Sequence, residues 1–276
     1  LSTLSGLREI GNAYAITITD TSVGATGLNR LDGKTTVAIK SSNITTLTGT
    51  AADLNTAYAS SGITGLGNEE ITLEDTTVAA SALNSLDGST SGVIDASSVT
   101  TPTGATVNLN TAYASAGISG LGDEEITLEQ PIRSAPGDGQ SATDLNTLDG
   151  STSGVIDASS VTTLIGATVN LNTAYASAGI SGLGDEEITL EQPIVGEDGE
   201  GIVTCEQQRW GITCLPFEQQ SVVASDLNTL DGSTSGMIDA SDRHRGNGVP
   251  MSLIGTAADL NTAYASAGIS GLGDEE

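Results

Sequence analysis

Asp53-Leu54-Asn55-Thr56-Ala57-Tyr58-Ala59-Ser60 decides how this chain is read. The phrase returns as Asn108-Leu109-Asn110-Thr111-Ala112-Tyr113-Ala114-Ser115, and again over residues 170–177 and 259–266. A shortened form alternates with it: Leu28-Asn29-Arg30-Leu31-Asp32-Gly33, Leu83-Asn84-Ser85-Leu86-Asp87-Gly88, and residues 145–150 and 227–232. Two phrases alternating at near-fixed spacing mark a repeat protein. Measured between Leu28, Leu54, Leu83, Leu109, Leu145, Leu171, Leu227 and Leu260, the steps are 26, 29, 26, 36, 26, 56 and 33 residues. The basic unit is therefore a double repeat of 26 and 29. The longer steps contain insertions that leave the flanking phrases intact, so they are expected as loops. They fall at about residues 131–140, 193–220 and 242–250.

Each half-repeat divides into a helical and an extended part. Thr50-Ala51-Ala52-Asp53 offers a threonine cap with an acidic residue three positions on. Ala51, Leu54, Ala57 and Tyr58 then fall on one helical face. Two turns of helix are unstable alone in water, so packing must hold them. Asp87-Gly88 and Asp149-Gly150 signal a turn after the shorter helix. The run from Gly92 to Thr101, with Val93, Ile94, Val99 and the threonines, predicts a strand. Ile71 and Leu73 alternate with Thr72 and Glu74, the pattern of a strand with one buried face.

The expected fold is an α/β solenoid: a single repeat array over residues 1–276, with parallel strands stacked beside short helices. It would have about eight coils of 26–29 residues, one per half-repeat, with the loop insertions in the C-terminal half. A strand spacing of about 4.8 Å would make eight coils a rod of roughly 40 Å.

Composition narrows the function. The formal net charge is -27, from 35 acidic and 8 basic residues. Phosphate binding needs clustered Lys and Arg, so nucleic acid is not an expected partner. No run of 18 apolar residues occurs, so no membrane span is expected. Aromatics make up 3% of the chain and Gly numbers 35, which suits a thin core of stacked Leu, Ile and Val. Leu1–Gly6 resembles the strand phrase Ile44–Gly49, and the chain stops at Asp274-Glu275-Glu276, where earlier copies continue into Ile-Thr-Leu-Glu. The expectation is either a fragment of a longer array or copies that join end to end through unpaired strand edges.

Leu47-Thr48-Gly49-Thr50-Ala51-Ala52-Asp53-Leu54-Asn55, the run Gly92–Thr101 and the run Ile71–Ala80 together resemble tandem repeats of very large secreted or cell-surface proteins of marine cyanobacteria. Some of these are linked to adhesion or motility. The resemblance covers most of the chain outside the insertions, and the order of the phrases matches as well as their content. It implies an extracellular structural array with a calcium association, and it brings no catalytic residues. The long insertion departs from the pattern.

Three groups of residues are candidates for chemistry. The first is a carboxylate ladder: Glu69 and Glu70, Asp123, Glu124 and Glu125, Asp185, Glu186 and Glu187, with Asp274-Glu275-Glu276 as the last copy. Calcium takes six to eight oxygen ligands and would suit such a ladder; the other reading is a solvated acidic edge. The second is a pair of repeated rows, Asn29 to Asn261 and Tyr58, Tyr113, Tyr175 and Tyr264, where bonding to neighbouring coils and packing are expected. The third is the insertion surface. Arg209, Trp210 and Phe217, with Arg243, His244 and Arg245, gather the large aromatics and late basic side chains that favour binding hot spots. A self-packed loop is the alternative. Cys205 and Cys214 lie nearby, either as a disulfide closing a hairpin, which implies an oxidising compartment, or as free thiols.

Catalysis finds little support in these motifs, with an enzyme acting on acidic polysaccharide as the remaining reading. His244 is the sole histidine, no G-x-S-x-G phrase accompanies it, and the paired carboxylates recur in every copy. The expected function is an extracellular or cell-surface structural repeat protein that forms a rod or an end-to-end filament by self-association. The alternative is a calcium-associated adhesin segment that binds a glycan or a cell-surface protein through residues 193–220.

Overall fold

The structure is a computed structural model in which residues 13–129, 139–190, 221–240 and 252–272 are described. Eight helices occur among them: α1 Ala25–Asp32, α2 Ala51–Ala59, α3 Ala80–Asp87, α4 Thr106–Ala114, α5 Ala142–Asp149, α6 Thr168–Ala176, α7 Ala224–Asp231 and α8 Ala257–Ala265. They alternate between eight and nine residues, as the two phrases predict. The Thr50 hydroxyl accepts the Asp53 N–H at 3.2 Å, so the expected cap forms. A second cap comes from the following coil, where the Asp75 carboxylate accepts the Ala51 N–H at 2.7 Å. Both satisfy amides that a helix start leaves unpaired. The repeat leucines Leu28, Leu54, Leu83, Leu109, Leu145, Leu171 and Leu227 are all buried. Each such side chain contributes about 1.5–3 kcal/mol relative to exposure.

The chain forms two compact units, Leu1–Glu129 with Thr147–Ala158, and Gln130–Asn146 with Ser159–Glu276. In the first unit, Ser22–Gly24, Thr46–Gly49, Glu70–Leu73, Ile94–Asp95 and Ile118–Ser119 pair in parallel, in that order. Their register stacks Val23, Leu47, Ile71, Ile94 and Ile118 in one apolar row. A second ladder runs Thr77–Ala79, Thr101–Gly104, Ile126–Leu128 and Ile156–Asp157. Ile39–Lys40 pairs separately with Ile63–Thr64. In the second unit the ladder is Gln140–Ser141, Thr163–Gly166, Glu187–Leu190, Ile238–Asp239 and Ile269–Ser270. Ser221–Val223 pairs with Ser252–Ile254. All these pairings are parallel, as an α/β repeat requires.

Two features differ from the sequence expectation. The run Gly92–Thr101 is not one strand: Ile94–Asp95 and Thr101–Gly104 are separate strands with a turn between them. The Asp95 carboxylate accepts the Ser97 N–H at 3.0 Å, and Val99 N–H bonds back to Ala96 O at 2.9 Å. An aspartate bonding two residues on makes a turn that competes with extension. Hydrogen bonds from Ser97 also hold the Asp95 carboxyl below its ordinary value.

The second difference is the register. Ser22 faces Thr46 and Thr46 faces Glu70, a step of 24 residues, whereas the helices recur every 26 and 29. A further strand absorbs the excess. Ser22–Gly24, Thr77–Ala79, Gln140–Ser141 and Ser221–Val223 each lead directly into a short helix, and each pairs only with a strand later in the chain. A half-repeat thus contributes two or three short strands rather than one.

Candidate functional site

The carboxylate ladder separates into an inner and an outer set. Glu69, Glu124 and Glu186 are buried, at 0%, 4% and 1% exposure. Glu70, Asp123, Glu125, Asp185 and Glu187 face solvent. Strand alternation forces the split. Ile71 must enter the core, so Glu70 beside it points out, and the preceding turn brings Glu69 back inward.

Each buried glutamate is clasped by a tyrosine eleven residues earlier. The hydroxyls of Tyr58, Tyr113 and Tyr175 donate to Oε2 of Glu69, Glu124 and Glu186 at 2.8, 2.7 and 2.7 Å. Backbone amides complete the clasp. Gly67 and Asn68 N–H donate to Glu69 Oε2 at 2.8 and 3.2 Å. Gly122 N–H bridges both oxygens of Glu124 at 3.0 and 2.8 Å, and Gly184 N–H those of Glu186 at 3.1 and 2.9 Å. The Thr90 hydroxyl closes the far side on Glu69 O at 2.8 Å. Oε1 of Glu69 is buried without a hydrogen-bond partner. Burial, then the bond to the carboxylate, raises the phenol pKa of Tyr58 and Tyr113. Burial raises that of Tyr175, against a lowering bond from Thr234.

The geometry makes these glutamates turn anchors. Buried carboxylates need hydrogen-bond partners, and each clasp supplies them within one coil, to Oε2 alone in the case of Glu69. Among the described residues, no group of three or more His, Cys, Asp or Glu comes together to hold a metal ion. The outer acids are exposed, Asp123 with Glu125 and Asp185 with Glu187 flanking the buried glutamate of their own turn.

The asparagine row works between coils. Nδ2 of Asn29, Asn55, Asn84, Asn146, Asn172 and Asn228 donates to a backbone carbonyl in the next helix: Asp53, Ala82, Asn108, Asn170, Asp226 and Asp259, at 2.9–3.1 Å. A serine–aspartate clasp adds to it. Ser60, Ser115 and Ser266 donate to the carboxylates of Asp32, Asp87 and Asp231 at 2.7–2.8 Å. These aspartates lie over Gly62, Gly117 and Gly268, where any Cβ would collide with a carboxylate oxygen. Gly92, Gly154 and Gly236 are required for the same reason, since a Cβ would strike the carbonyl of Glu69, Glu124 or Glu186. The sequence carried signals for both clasps: Tyr and the middle Glu recur at a separation of 11, and Asp and Ser at 28 in two of the pairs.

Arg209, Trp210, Phe217, Arg243, His244 and Arg245 lie outside the described residues, as do Cys205 and Cys214. The described acids and tyrosines are brought together pairwise within a coil and not as a shared cleft. No helix among the described residues is long and apolar enough to cross a membrane. No protein-family model matches the chain, and neither a curated protein nor a solved structure matches it.

Proposed function

We propose that the protein is an extracellular structural repeat protein, whose eight coils continue as one α/β solenoid and act as a rod or as a segment of an end-to-end fibre. The asparagine row carries this reading. In six of the eight helices the repeated asparagine bonds the backbone of the next helix, and the Ser–Asp clasps tie neighbouring coils in the same way. Repeated polar residues used for cohesion suit load transmission along a stack. The resemblance to repeats of giant cyanobacterial surface proteins supports the extracellular setting, and the exposed outer acids suit calcium association. Electron microscopy of the purified chain, with and without a calcium chelator, tests the reading. Uniform elongated particles are expected. Compact round particles would overturn it, and elongated particles that shorten on chelation would assign the outer acids to the joints between copies.

A further inference from the structure

The strands that lead into helices share one outward position, the residue after the core residue. In the first unit it holds Gly24, Thr48, Ala79 and Thr103. In the second unit it holds Ser141, Ile165, Val223 and Ile254. Three branched apolar side chains thus replace small or hydroxylated ones. The change follows the insertions. Ser221–Val223 and Ser252–Ile254 each begin just after one, and Thr163–Gly166 pairs with Gln140–Ser141, where the first insertion returns.

Ile165 shows such a side chain seated. It is 7% exposed, and all four residues of its strand are buried, whereas Thr46, Thr48, Thr101 and Thr103 are half-buried at the same positions. The chain at Gly139 lies against it, since a Cβ there would come within 2.9 Å of Ile165 Cγ1. Val223 and Ile254 are the unseated case. They are register partners on neighbouring parallel strands, which run about 4.8 Å apart. Val222 beside them is buried, so strand alternation directs them outward. They stay 39% and 49% exposed.

Chain continuity identifies the occupant. The insertion at 193–220 ends directly before Ser221 and carries Trp210, Ile212, Leu215 and Phe217, including the only Trp and the only Phe. Phe217 is six residues from Val223, a reach of about 20 Å at full extension. A second copy is disfavoured by the net charge of -27. We propose that the stretch Trp210–Phe217 docks on the Val223–Ile254 pair, an intramolecular docking surface of the second unit. The proposal is independent of the stacked-coil reading. It assigns the aromatic insertion to its own unit and not to an outside partner.

Trp210 is a single built-in probe, so fluorescence of the full chain with acrylamide quenching tests this. The wild type is expected to emit to the blue of the urea-unfolded chain and to be quenched more weakly. The double variant Val223→Thr with Ile254→Thr installs the residue type found at Thr48 and Thr103, so its fold should survive, as circular dichroism would record. Its emission should shift to the red and its quenching should rise towards the unfolded value. Tryptic cleavage after Arg209 should speed up about tenfold, equivalent to a loss of about 1.4 kcal/mol in docking. Val107→Thr, at a 60% exposed position of the first unit, should change neither readout. A wild-type Trp210 as accessible as in the unfolded chain would overturn the proposal. So would unchanged readouts in the folded double variant, or an equal change in Val107→Thr. Protection of Trp210 that grows with protein concentration, together with a dimer in sedimentation, would make a second copy the occupant and overturn it too.

Discussion

At the residue scale, Tyr113 shows how a side chain that looks like a surface aromatic becomes a turn anchor. Its hydroxyl satisfies a carboxylate that is 4% exposed. Tyr113→Phe removes the donor and leaves Glu124 short of a partner, so stability should fall by about 1–3 kcal/mol in urea unfolding. Gly92→Ala should cost at least about as much, because the new Cβ strikes the Glu69 carbonyl, which belongs to backbone and cannot swing aside. The pH response follows from the phenols. Their folded pKa values lie above the ordinary value of 10.0. The folded state therefore holds its phenol protons more tightly than the unfolded state. The stability they contribute is complete below pH 10 and declines as the pH rises through the folded values. A melting series from pH 8 to 12 should show Tm falling above about pH 10, less steeply in Tyr113→Phe. The recurrence of Tyr and Glu at a fixed distance was legible in the chain. The inward direction of Glu69 was not: Asn68, Glu69 and Glu70 are all polar, and only the pleat beginning at Ile71 decides which of them turns inside.

At the element scale, the helices are too short to stand alone and are held by what packs on them. Leu83 is fully buried in α3, and Leu83→Ala should lose about 2–5 kcal/mol through lost transfer energy and a cavity. Asn84→Ala removes one inter-coil bond, at 2.9 Å to Asn108 O, and should lose about 1–3 kcal/mol through the unpaired carbonyl. Chemical denaturation of both variants in parallel should show apolar burial outweighing the polar row. The asparagines then supply register rather than most of the stability. Helix positions were legible, because the recurring leucine phrase, with the Thr50 cap in one copy, is a local signal. The run Gly92–Thr101 was misread because its β-branched content favours extension, while the Asp95–Ser97 bond turns the chain within it.

For the whole molecule, charge is the dominant opposing term. A net charge of -27 sets up self-repulsion that the few basic side chains do not offset. Raising sodium chloride from about 0.01 to 0.5 M shortens the screening length from about 30 Å to a few ångströms. Tm should rise across that range, and scanning calorimetry would record it. A fall would mean that attractive pairs outweigh the repulsion. The repeated carboxylates enter at this scale as five described outward acids, which add to the repulsion, and three inward anchors.

The sequence by itself determined the repeat, the alternation of two helix types, the Thr50 cap, the leucine core and the places where insertions interrupt the pattern. These follow from local chemistry and short-range periodicity, which a single chain displays openly. Only the tertiary structure decided the 24-residue strand step, the extra strand that each short helix draws forward, and the burial of the middle glutamate. Those depend on which backbone groups of one coil lie opposite another. That pairing is settled where side chains and carbonyls of different coils compete for the same space, and no single half-repeat contains it.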